Sequence, residues 1–144
     1  MSIRLVLVRH GLSSFNKKGL VQGRIDDSYL TDKGYEQALK SGEALSEINF
    51  EKIYSSPLIR AAETAKTIQK NLKGENSIIY DKNLLEVDLG SWSGLTINEI
   101  KNKYPEDYLL WKNDPENLIL ESIHNSTYQP IKAVSYTHLT LPTT

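Results

Sequence analysis

Residues 3–11, Ile3-Arg4-Leu5-Val6-Leu7-Val8-Arg9-His10-Gly11, decide how the chain is read. A short run that is rich in β-branched residues and apolar on both faces has the pattern of a strand buried on both sides in a parallel sheet. The run breaks abruptly at Arg9-His10-Gly11. In open α/β sheets ligands bind outside the carboxyl ends of the strands, so a polar break at such an end is where a site is expected.

Working outward, Gln22-Gly23-Arg24 and Asp26-Asp27-Ser28 form a polar loop. Thr31 then offers an N-cap to an amphipathic helix in which Tyr35, Ala38, Leu39, Gly42 and Leu45 recur at helical spacing. Lys52-Ile53-Tyr54-Ser55 reads as a second strand. Ser56-Pro57 opens another helix, with Leu58, Ala62, Ala65 and Leu72 on one face. Ile78-Ile79-Tyr80 is a third strand, and Thr96-Ile97-Asn98-Glu99 is a capping box for a helix that ends before Pro105. Strand and helix alternate throughout. That alternation implies a three-layer α/β/α sandwich around a mainly parallel central sheet.

Composition narrows the functions this fold can carry. A length of 144 residues suits one domain, which can bury roughly two thirds of its unfolded surface. The formal net charge of -1 gives no basic face for nucleic acid and no polybasic membrane patch, so an anionic ligand must be held by individual Arg or Lys residues. The absence of cysteine excludes disulfides, thiolate metal sites and cysteine nucleophiles. The N-terminal apolar run is too short for a signal-peptide core or a membrane span, so cytoplasmic residence is expected. Nothing in the composition sets an oligomeric state.

A histidine that directly follows a buried strand, preceded by Arg and followed by Gly, suits attack on phosphorus. Neutral imidazole is nucleophilic, and an adjacent guanidinium offsets the charge of a phosphate dianion. Taken alone, a histidine such as His10 is more often an ordinary satisfied histidine. Its context extends much further. Arg9-His10-Gly11 with Asn16 is followed by Gln22-Gly23, by Ser55-Ser56-Pro57-Leu58-Ile59-Arg60-Ala61 with Thr64-Ala65, and by Leu85-Glu86 with Leu89-Gly90 and Trp92-Ser93-Gly94. In that order the set resembles the histidine phosphatase, or phosphoglycerate-mutase-like, superfamily over about residues 3–111.

The resemblance implies a phosphomonoesterase that works through a phosphohistidine, with a small phosphorylated metabolite as substrate and no metal or cofactor. His10 is the implied nucleophile. Arg9 and Arg60 are the implied phosphate clamp, although an Arg on an ordinary helix would pair with a neighbour such as Glu63. Asn16 could donate to phosphate or serve as a turn residue. Gln22 and Gly23 resemble the family's substrate-loop pair, and would otherwise be a polar turn. Glu86 is the candidate general acid, since an expelled alkoxide needs a proton and a carboxyl beside bound phosphate has a reason to stay protonated. A solvated loop acid is the alternative for Glu86, and Asp88 is a rival carboxylate. Trp92 and Trp111 could rim a pocket or pack in the core, and they carry no catalytic role.

The sequence also departs from the family. A second catalytic histidine in a Ser-His-Gly-Gly context is expected, and only His124 and His138 are on offer. His124 looks like a helix-start residue, and His138 runs into Leu139-Thr140-Leu141-Pro142 with no Gly. Residues 134–144 resemble the translation of a transposon-adapter sequence used in DNA library preparation. The expected organisation is therefore a partial domain over residues 1–133 with a non-native tail over 134–144, and a sandwich incomplete at the C-terminus. In the family the strand bearing the second histidine lies beside the first one, so its loss is expected to expose an apolar face next to His10 and to favour aggregation. The Arg-Arg stretch of the phosphoglycerate mutases is absent after Trp111, which makes a mutase a lesser alternative. An α-ribazole-phosphatase-like or sugar-phosphate phosphatase fits equally well. Two further readings stand against the enzyme: an inactive phosphate-binding module, and an unrelated α/β interaction domain in which Arg9, His10, Arg60 and Glu86 do not converge.

Overall fold

A computed structural model describes residues 3–74 and 76–120. The elements fall into two groups. The first group contains α1 (Ser14–Lys18), α2 (Asp32–Leu45), β1 (Ile53–Ser55), α3 (Ile59–Gln69) and β2 (Ile78–Tyr80); the second contains α4 (Ile97–Lys103) and α5 (Pro105–Asn113). β1 and β2 pair in parallel, with Ile53 opposite Ile78 and Ser55 opposite Tyr80. A parallel pair needs a long crossover, and α3 supplies it while packing on both strands.

The helix boundaries follow local chemistry. Thr31 caps α2 by accepting from Gly34 N–H. At α4, Thr96 accepts from Glu99 N–H while the Glu99 carboxylate accepts from Thr96 N–H, the reciprocal arrangement its sequence announces. Tyr104 ends α4, and Pro105 begins α5, where its missing N–H costs nothing. α3 begins at Ile59, two residues after Pro57. Its N-cap Leu58 has no side-chain acceptor, so Asp26 reaches in from the preceding loop and accepts from Ile59 N–H at 2.6 Å. Orphan N–H groups at a helix start must find an acceptor somewhere, and here it comes from 33 residues upstream.

Small residues let α2 lie close to its neighbours. Gly34, Ala38 and Gly42 recur every four residues along its buried face, and a Cβ on Gly42 would come within 3.0 Å of the Ile68 carbonyl on α3. The second group is built around a buried apolar cluster. Trp92, Ile100, Leu118 and Leu120 are buried together, with Val21, Leu95 and Trp111 packed against them. Trp92 and Trp111 meet edge to face with ring centroids 5.9 Å apart, so both are packing residues.

One expectation is corrected. Residues 3–8 form no ladder with any described strand, and their side chains are exposed, with Leu5 at 76% and Leu7 at 67%. A strand exists only where its N–H and C=O groups have neighbours, and among the described residues β1 and β2 pair with each other and leave residues 3–8 alone. The apolar face expected next to His10 is accordingly open. His124, His138 and the tail over 134–144 lie outside the described residues. Among the described residues no helix is long and apolar enough to cross a membrane.

Candidate active site

Three backbone segments converge on His10: the loop that carries it, the loop after α1, and the start of α3. The first is locked by hydrogen bonds to two helices. Gly11 N–H donates to Thr64 Oγ1 on α3 (3.0 Å), and the Thr64 hydroxyl in turn donates to the Arg60 carbonyl (2.7 Å). Leu12 N–H donates to Gln37 Oε1, and the Leu12 carbonyl accepts from both the N–H and the hydroxyl of Thr31. Gly11 and Gly34 then sit back to back. A Cβ on Gly11 would lie 2.3 Å from the Gly34 carbonyl, which is the close approach that fixes glycine at both positions.

His10 is half-buried, and its Nδ1 lies 2.8 Å from the Gly11 carbonyl oxygen. A carbonyl can only accept, so Nδ1 carries the proton and the neutral ring keeps its lone pair on Nε2. Burial holds the imidazole pKa below its usual value of 6.5, with Arg60 and Arg9 pushing the same way; the hydrogen bond to Gly11 and the Glu86 carboxylate oppose them. The ring is therefore neutral at pH 7. Arg9, Arg60 and Glu86 all act electrostatically on His10, so the four residues singled out in the sequence share one neighbourhood.

Arg60 is 2% exposed and does not pair with Glu63, which accepts instead from Tyr35 and Lys66. Its Nη1 donates to the Ile25 carbonyl (2.9 Å) and its Nη2 to the Gly23 carbonyl (2.8 Å). Burial draws its pKa down, with the Glu86 and Asp26 carboxylates opposing, and a guanidinium so placed stays charged. Two of its five N–H groups hold the Gly23–Ile25 loop. Arg9 lies on the exposed segment.

Asn16 is the third residue of a capping box at α1, where its Oδ1 faces Ser13 N–H and Ser13 Oγ. Gln22 Oε1 lies 2.7 Å from both Ser13 Oγ and Ser28 Oγ, two fully buried hydroxyls. In both side chains the carbonyl end is engaged, which leaves the amide –NH2 ends as donors. Gly23 has a φ of 50°, and a Cβ there would press on Ser93 Oγ and Leu89.

The Glu86 segment is held from two sides. Val21 N–H donates to the Leu95 carbonyl, Gly94 N–H donates to the Val21 carbonyl, and Arg24 Nε donates to the Glu86 carbonyl at 2.9 Å. Asp88 accepts from Gly90 N–H, so this rival carboxylate is engaged in shaping the turn at Gly90–Trp92. Thr64, Gly34, Asp26 and Arg24 build the site without having been singled out from the sequence. Only Thr64 carried a signal, through its place in the Arg60 motif.

Residues 5–131 match the histidine phosphatase superfamily (branch 1). The chain belongs to that superfamily. Its relatives include phosphoserine phosphatase 1 of Hydrogenobacter thermophilus, 38% identical over 118 residues that cover 81% of this chain and 54% of that protein. The 2-carboxy-D-arabinitol-1-phosphatase of Triticum aestivum is 38% identical over 118 residues, covering 82% of this chain and 23% of the wheat protein. Among solved histidine phosphatase structures, the alpha-ribazole phosphatase from Shigella flexneri superposes with a TM-score of 0.73 at 25% identity, covering 88% of this chain and 58% of that one. The α/β fold with parallel pairing is the fold of this superfamily. The chain thus spans about half the length of the bacterial relative and a quarter of the plant one.

Proposed function

We propose that this chain carries the phosphoryl-accepting half of a phosphomonoesterase for small phosphorylated metabolites, with His10 as nucleophile. The observation that carries the reading is the Nδ1–H bond to the Gly11 carbonyl, which aims a free Nε2 lone pair outward beside two guanidinium groups. Nε2 attacks phosphorus, an N–P bond forms as the ester P–O bond breaks, and Arg60 with Arg9 offsets the charge on the phosphoryl oxygens. The amide ends of Asn16 and Gln22 and the Gly23 N–H supply neutral donors. Glu86 gives its proton to the departing alkoxide. Its carboxylate then takes a proton from water, which attacks the phosphohistidine and releases inorganic phosphate.

The relatives' names support the substrate class, since phosphoserine and 2-carboxy-D-arabinitol 1-phosphate are both small phosphomonoesters. Metabolites of this kind fit cytoplasmic residence. The catalytic domain is assigned to residues 1–133 with 134–144 outside it, a division supported by a superfamily match that ends at residue 131.

A second reading, a phosphate-binding module without turnover, is favoured by one observation: neither His124 nor His138 stands in the Ser-His-Gly-Gly context of the family's second histidine. Incubation with a chromogenic phosphomonoester separates the two. Acid-labile phosphate on His10, lost in His10→Ala, is expected for the enzyme. Phosphate binding without phosphohistidine supports the module, and full hydrolysis by His10→Ala would exclude His10 as nucleophile.

A further inference from the structure

Arg24 is the cation of the site that the phosphoryl chemistry leaves unused. Arg60 and Arg9 act electrostatically on His10, whereas Arg24 is not among the charges that shift it. Arg24 adjoins the candidate acid, with its Nε hydrogen donated to the Glu86 carbonyl at 2.9 Å. The backbone under it is fixed from below, since the carbonyls of Gly23 and Ile25 on either side both accept from Arg60. That leaves Arg24 partly exposed with its guanidinium anchored at one nitrogen.

Among the described residues neither Nη of Arg24 has a protein partner, and no carboxylate forms an ion pair with it. The nearest acids in sequence form no ion pair with it: Asp26 accepts from Ile59 N–H, and Asp27 is exposed. With Nε engaged, the edge that remains is the one carrying Nη1 and Nη2, which matches a carboxylate in a two-point fork. A guanidinium held at one end loses little further freedom when it binds.

Resting on the phosphomonoesterase reading, we infer that Arg24 binds a carboxylate on the leaving group and so selects phosphomonoesters of hydroxy acids. The placement follows from the chemistry. Glu86 must reach the bridging oxygen, so the group attached to that oxygen lies near the Glu86 segment, which Arg24 adjoins. Phosphate at His10 and a carboxylate at Arg24 would then both lie near the acid.

The test uses 3-phosphoglycerate and glycerol 3-phosphate, which differ by a carboxylate in place of a hydroxymethyl group. Dissociation constants are measured calorimetrically on the full chain carrying His10→Ala, so that neither ligand is consumed. With Arg24 present, 3-phosphoglycerate is expected to bind about tenfold more tightly, the scale of one charge-assisted pair. Adding Arg24→Gln should erase that preference while glycerol 3-phosphate binds within about twofold of its former strength, and Arg24→Lys should restore part of the preference. Three results overturn the inference: equal binding of both ligands with Arg24 present, a preference that survives Arg24→Gln, or equal weakening of both ligands, which would make Arg24 only a tie between two loops. Failure of the phosphomonoesterase reading is seen separately, as the absence of phosphohistidine in the protein with His10 intact.

Discussion

The nitrogen through which His10 is proposed to act is chosen by one backbone carbonyl, and burial keeps the ring in its neutral form. Because the Gly11 carbonyl takes the Nδ1 proton, Nε2 is the free base; because burial and two guanidinium groups disfavour imidazolium, that base stays free below pH 6.5. The acid limb of kcat/KM is therefore expected below pH 6.5, and an NMR titration of the His10 ring should show the same midpoint. A limb at or above 6.5 would contradict the described environment. Stability moves in a linked direction. The unfolded chain binds the His10 proton at the ordinary value and the folded chain resists it, so below about pH 6.5 the unfolded state holds more protons and the fold loses stability as pH falls. The residue types of this site were legible in the sequence. What each side chain bonds to was not, since Arg60 reads the same whether it pairs with Glu63 or turns inward to Gly23.

At the scale of elements, the site is a set of loops pinned to α2 and α3, and glycine sets the closeness of the pinning. A Cβ at Gly34 would lie 2.3 Å from the Leu12 carbonyl and 3.0 Å from Leu12 N, both backbone atoms that cannot swing aside. Gly34→Ala must lift residues 11–12 off α2 and carry His10 with them. We expect a loss of about 1–3 kcal/mol in thermal unfolding and about a hundredfold slower phosphorylation of His10, the usual effect of a displacement near 1 Å. Lys40→Ala, on the exposed face of the same helix, should stay within about 0.5 kcal/mol. An unaffected Gly34→Ala would show that the loop is not seated on α2. Helix periodicity exposed the Ala38 and Gly42 face and the caps at Thr31 and Thr96, because these are local signals. It could not show that Gly34 meets Leu12 or that Asp26 caps α3, because those partners come from distant parts of the chain.

At the scale of the whole molecule, the run that decided the reading of the sequence is the part least covered in the structure. Its hydrophobic pattern correctly announced an α/β protein, but a pattern records what a strand wants to be buried against, and among the described residues no strand stands beside residues 3–8. Leu5 and Leu7 are open to solvent, and among the described residues their backbone N–H and C=O groups have no strand partner. Such a segment is a template for strand pairing with another copy, and a net charge of -1 gives little repulsion between copies. Sedimentation velocity on this chain is expected to show self-association that grows with concentration. The double variant Leu5→Lys/Leu7→Lys should shift the boundary to monomer, because charges on a strand edge oppose pairing. Helical circular dichroism should be unchanged in that variant, since α2, α3 and the Trp92 cluster make their contacts elsewhere. A wild-type chain that stays monomeric at every concentration, or a double variant that unfolds, would mean that residues 3–8 are buried within the same molecule.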